Sequence, residues 1–174
     1  MNFNLQEALE LLERTPRTLE AMLTGLSEPW LACREGEGTW NASEVLDHLI
    51  EADRSNWIPR IEWLLEHGEE RPFPPFDRFA HLQRPPGRTL EERLAEFREL
   101  RAASTARLRA IVDPERHLGL RGRHPEFGGV TLAQLISTWV AHDLTHLSQI
   151  IRVMARRYRE DVGPWVAYLS ILKG

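Results

Sequence analysis

Two histidines four residues apart, His142 and His146, stand in the segment "STWVAHDLTHLSQIIRVMARR". On an α-helix that spacing puts both imidazoles on one face, close enough to share one ion. With ~100° per residue, Leu135, Ile136, Trp139, Val140, Leu147, Ile150, Ile151, Val153 and Met154 fall in an arc of roughly half the helix, and the two histidines lie side by side at its edge. Asp143 falls inside the arc, between Trp139 and Leu147. A buried carboxylate is costly unless paired, so Asp143 requires a partner: the histidine site, or an arginine.

A second segment, "NASEVLDHLIEADRSNW", repeats the pattern, with His48 at the edge of an apolar face and Asp53 near its middle. Two readings of these residues stand. In one, the edge histidines of two helices meet around a metal and the acids orient them. In the other, the histidines are hydrogen-bonded boundary residues and the acids form structural pairs. HxxxH alone does not choose between them. His124, in "GRHPEFGG", is a pocket candidate; His67 reads as a helix end, and His81 and His117 read as solvated loop residues.

Four helical stretches must position these groups. The first spans Leu5 to Leu23, with Pro16 predicted to kink or divide it. The second starts at a capping box, Asn41 with Glu44, bends at Pro59 and stops at Gly68. The third starts at Thr89 with Glu92 and carries Leu90, Leu94, Phe97, Leu108 and Ile111 as its stripe; the fourth runs from near Thr131 to about Tyr158. A short closing helix, "GPWVAYLSILKG", is expected to pack Trp165, Leu169 and Leu172 onto the rest. Period-two alternation is almost absent, which argues against a sheet. The fold class expected is therefore all-α: a four-helix bundle in a single domain, residues 1–174, with long connections and a short C-terminal helix. Of those connections, "EERPFPPFDRFAHLQRPPG" holds Phe73, Phe76 and Phe79, which serve as core anchors, a lid, or both.

Composition narrows the function classes. The 174 residues are 42% hydrophobic and 28% charged, as in ordinary globular proteins, and no apolar run approaches a membrane span. With no leader pattern at the start, the expected location is cytoplasmic. One cysteine, Cys33, excludes an internal disulfide and a cysteine-ligated zinc cluster. A net charge of −4 gives no overall attraction to nucleic acid, and Lys173, the one lysine, leaves little scope for Schiff-base chemistry.

"GTWNASEVLDHLIEAD", followed by "GGVTLAQLISTWVAHDLTHLSQI", resembles the DinB-like superfamily of bacterial proteins. The likeness covers nearly the whole chain: a proline-interrupted first helix, a tryptophan (Trp40) before the second, one histidine within it, and HxxxH in the last long helix. It implies a four-helix bundle, often a homodimer, with His48, His142 and His146 around a divalent metal, Zn²⁺ or Ni²⁺. It further implies a small-molecule substrate and a thiol-dependent transferase activity using a low-molecular-weight thiol. Asp143 is then an orienting residue or a base, and Gln149 and Thr138, near the histidine edge, are candidate ligand contacts. The competing expectation is a non-catalytic, dimeric bundle that binds a metal or small ligand.

Overall fold

The structure, a computed structural model, describes residues 3–83 and 87–173. Its helices are α1 (Leu5–Leu23), α2 (Glu28–Leu31), α3 (Ala42–Ser55), α4 (Trp57–His67), α5 (Leu90–Ile111) and α6 (Leu132–Arg156). Each long helix begins where its sequence supplies a cap. The Asn4 side chain accepts from the Gln6 and Glu7 amides, and Asn41/Glu44, Thr89/Glu92 and Thr131/Gln134 form reciprocal capping boxes at α3, α5 and α6. These side chains satisfy amides that the first turn leaves without partners.

Four long helices form the bundle. α5 packs chiefly on α1 and α3, and α6 on the same two, so α1 faces α3 and α5 faces α6 across the diagonals. No helix among the described residues is long and apolar enough to cross a membrane.

The two prolines act differently. α1 continues through Pro16 as one helix, so of the expected kink or division the division does not occur. A proline has no N–H for the carbonyl four residues back; here that carbonyl, Leu12 O, accepts instead from Arg101 Nη1 at 2.8 Å. At Pro59 the expected bend is a full break. The ring removes the donor for the Ser55 carbonyl; α3 ends there, Asn56 takes a distorted helical conformation, and α4 starts afresh at Trp57. Pro59 then falls in a first turn, where a missing N–H costs least.

In two further places the structure departs from the expected elements. The connection between α5 and α6 holds a hairpin, β1 (Arg121–His124) antiparallel to β2 (Gly128–Thr131). Strands of four residues built from "RGRH" and "GGVT" carry too few apolar side chains to alternate, so periodicity could not reveal them. Gly122 is needed there: a Cβ would lie 2.8 Å from the Phe73 ring and 2.9 Å from Leu64. Phe73 N in turn donates to the Arg123 carbonyl at 2.9 Å, tying the proline-rich connection to the hairpin. Secondly, the closing segment forms 3₁₀ turns (Gly163–Tyr168 and Ser170–Leu172) rather than an α-helix. With three residues per turn it buries Leu172 but leaves Trp165 68% exposed and Leu169 at the surface.

Candidate metal centre

The α3 capping box fixes the backbone just after Trp40, and His48 follows two turns into the helix. His142 and His146 lie one turn apart in the middle of α6. Because α3 and α6 are adjacent, the three rings converge. His48 Nε2 is 3.1 Å and His146 Nε2 3.2 Å from His142 Nε2. All three candidate ligand atoms lie within 4.8 Å of one another.

The outer nitrogens decide where the protons sit. His48 Nδ1 lies 3.1 Å from the Arg78 carbonyl, and His146 Nδ1 2.8 Å from Gln149 Oε1. Both partners only accept, so both Nδ1 atoms carry the hydrogen and both Nε2 atoms present lone pairs. His142 has one proton at neutral charge and faces two such lone pairs, so the cluster is short of hydrogens for its contacts. Its own Nδ1 is buried without a partner among the described residues.

Burial, with the neighbouring imidazoles, pulls His48 down to about 4 and His142 to about 2; burial also lowers His146, against the Gln149 hydrogen bond. Three neutral rings aiming nitrogens at a common point fit a divalent cation. A tetrahedral ion with bonds near 2.0–2.1 Å separates adjacent nitrogens by roughly 3.3 Å, close to the separations of His142 Nε2 from the other two rings. The donor set leaves further coordination positions for a small ligand.

Those positions open onto a cleft of about 550 Å³ lined by the three histidines, Trp40, Phe76 and His124. The proline-rich connection serves as both anchor and wall: Phe73 is buried, Phe76 lines the cleft and Phe79 is half exposed. Sequence spacing missed His81. It is 3% exposed in the 3₁₀ turn Ala80–Gln83, not solvated, with Trp40 4.5 Å and His48 5.2 Å from its ring centroid. Lying in an irregular loop, it had no periodicity to place it.

The remaining candidates separate. Gln149 acts on the site through His146. Thr138 is exposed and its hydroxyl donates to the Gln134 carbonyl of its own helix. Asp143 turns away from the histidines: its oxygens accept from Arg101 Nη1 at 2.5 Å and Nη2 at 3.1 Å. Asp53 accepts from the same guanidinium at 2.7 and 2.9 Å. Burial pushes the Asp53 carboxyl up to about 6 while Arg101 pulls it down; burial disfavours the Arg101 charge, but the two carboxylates together raise its pKa.

Residues 11–150, most of the chain and all of this site, match the model of the DinB superfamily. The chain belongs to the DinB superfamily. Among proteins similar to this member is YfiT of Bacillus subtilis, 25% identical over 152 residues that cover 85% of this chain and 83% of that protein. The solved structure of YfiT superposes with a TM-score of 0.72 at 23% identity, covering 88% of this chain and 87% of that one. It is described as a probable metal-dependent hydrolase with an unusual four-helix bundle topology. The structural likeness shows the shared fold; the diagonal pairing of α1 with α3 and of α5 with α6 is this chain's form of it.

Proposed function

We propose that this protein is a divalent-metal-dependent enzyme that transfers an electrophilic small molecule onto a low-molecular-weight thiol. The carrying observation is the convergence of three neutral imidazoles, 3.1 and 3.2 Å between nitrogens, at the floor of an open cleft. A Zn²⁺ or Ni²⁺ ion held there would supply Lewis acidity, lowering the pKa of a thiol that binds in the cleft. His48, His142 and His146 hold the ion; the Arg78 carbonyl and Gln149 fix two of the rings through their outer N–H groups. Trp40 forms one wall beside the cluster, its ring 4.9 Å from His48 and 6.2 Å from His146.

Thiol chemistry is favoured over activation of water by the state of the acids. Asp53 and Asp143 are both committed to Arg101, so neither is available as a base beside the histidines. A thiol, with an ordinary pKa near 8.5, needs less assistance to ionise than water does. A hydrolytic reading is kept because YfiT is described as a probable metal-dependent hydrolase; it would recruit Glu126, the one acid among the described residues lining the cleft. The proposed setting is cytoplasmic, and the proposed assembly a homodimer.

The test begins with metal content. Purified protein should bind close to one equivalent of zinc or nickel, measured by plasma emission after dialysis. Thiol consumption with varied electrophiles should then depend on that metal, with bacillithiol, mycothiol and glutathione as the thiols. Metal-dependent ester or amide cleavage without thiol consumption would select the hydrolytic reading. Failure of the folded protein to bind any divalent ion would remove both.

A further inference from the structure

Beyond the histidines, the wall of the same cleft carries a second set of polar atoms, which the reaction above does not use. Asn56, at the break between α3 and α4, is 5% exposed, and its Oδ1 is buried without a donor among the described residues. One turn further, Arg60 lines the same cleft. Its guanidinium lies over the Phe73 ring, 5.5 Å from the centroid, and Nη2 reaches the Pro74 carbonyl only at 3.4 Å. Its Nε is buried and meets no acceptor among the described residues.

The lack of an acid partner among the described residues distinguishes Arg60 from the other partly or wholly buried arginines. Arg93 pairs with Asp47, Arg152 with Glu35, and Arg101 with two acids. No acid partners Arg60 among the described residues; burial alone acts on its charge. An unpaired cation partly withdrawn from water is unfavourable, and a planar fork of N–H donors matches the two oxygens of a carboxylate. The neighbouring carboxamide oxygen needs the opposite, a hydrogen-bond donor. Arg78 on the same wall adds positive charge, against the single acid Glu126.

We infer that Arg60 and Asn56 are the specificity end of the cleft, reading a small organic carboxylate that has an N–H or O–H donor beside its acid group. The carboxylate accepts from the Arg60 guanidinium and the adjacent donor meets Asn56 Oδ1, with both side chains turning toward the cleft as the ligand enters, because Arg60 Nε and Asn56 Oδ1 are closed to solvent as the cleft stands. The rest of the molecule then extends toward His48, His142 and His146. Only this last orientation rests on the metal-centre reading; the anchor itself does not.

N-acetyl-L-alanine, which has both groups, is a suitable probe, and N-acetyl-L-alaninamide is its uncharged control. Each is titrated by NMR into metal-free and zinc-loaded protein, following the Arg60 Nε–H and the Asn56 carboxamide. Saturable shifts at both groups with the acid are expected, and binding at least tenfold weaker with the amide. Arg60→Met should lose the preference for the acid, and Arg60→Lys should keep part of it. The inference is overturned if the wild-type shifts do not saturate, if acid and amide bind alike, or if Arg60→Met with a native melt retains the preference. Because acid binding is read on metal-free protein and metal content separately, failure of the anchor and failure of the metal centre give different results. Should Arg60→Met fail to fold, the acid–amide comparison and Arg60→Lys still decide.

Discussion

Two polar clusters lie within the bundle, and adjacent residues of α6 belong to them: His142 to one, Asp143 to the other. Around Arg101, all the guanidinium N–H groups donate to acceptors within the bundle. Its guanidinium reaches Asp53, Asp143 and the Leu12 carbonyl, with the Phe97 and Trp139 rings 4.9 and 5.2 Å away. Around His142 the reverse holds, with lone pairs facing each other over an open cleft. Burial lowers the pKa values of the imidazoles and keeps them neutral; in the arginine cluster mutual attraction keeps the guanidinium charged. A polar cluster that satisfies itself holds a structure together. One that does not leaves lone pairs unused, which suits it to hold an ion.

Loss of Arg101 has the largest expected effect. Arg101→Met strands two buried carboxylates beside each other, at a cost of about 3–5 kcal/mol, equivalent to a melting point about 10–15 °C lower. Adding Asp53→Leu and Asp143→Leu should recover much of that loss. A single variant that melts within two degrees or so of wild type would show the cluster to be dispensable. At the other centre, His142→Ala should weaken metal binding by more than about 100-fold while the metal-free protein keeps its helical circular dichroism. Retained affinity would mean that the ion sits elsewhere. Gln149→Leu, which removes only the acceptor behind His146, should weaken the metal about tenfold in a competition titration.

Acidification gives a response whose sign is diagnostic. His48 is held near 4 against an ordinary value of 6.5. As pH falls, the unfolded chain therefore takes up protons before the folded one does. The stability associated with these rings is present above about 6.5 and is lost toward pH 4. In metal-free protein the His48 ring resonances should stay nearly constant from pH 8 to 5.5. A midpoint near 6.5 would place the ring in water, outside the cluster.

The sequence made the helical part of this arrangement readable because each long helix states its start with a cap and its buried face with a 3.6-residue period. His48, His142 and His146 were visible as edge residues on two such faces. That they meet depends on α3 and α6 being neighbours, which no single helix encodes. Arg101 left a trace that is easy to pass over. It follows Leu94 and Phe97 by seven and four residues and precedes Leu108 by seven, so it stands on the apolar stripe of α5 among several exposed arginines. His81, Asn56 and Arg60 are another matter: one lies in a turn, and the others flank a helix break whose position depended on Pro59. The hairpin was unreadable because glycine and arginine carry no alternation.

Arg101 also bears on how the chain can be put together. It is donated by α5 and received by α1, α3 and α6, and the carbonyl it finds on α1 is free because Pro16 stands one turn away. Any other ring order, or a rotation of α6 by a single residue, would carry at least one of those acceptors out of reach and leave a charge stranded in the oily interior. The arginine thus ties the correct mutual rotation of all four rods to one side chain, and the same rotation of α6 that seats Asp143 turns His142 toward the cleft.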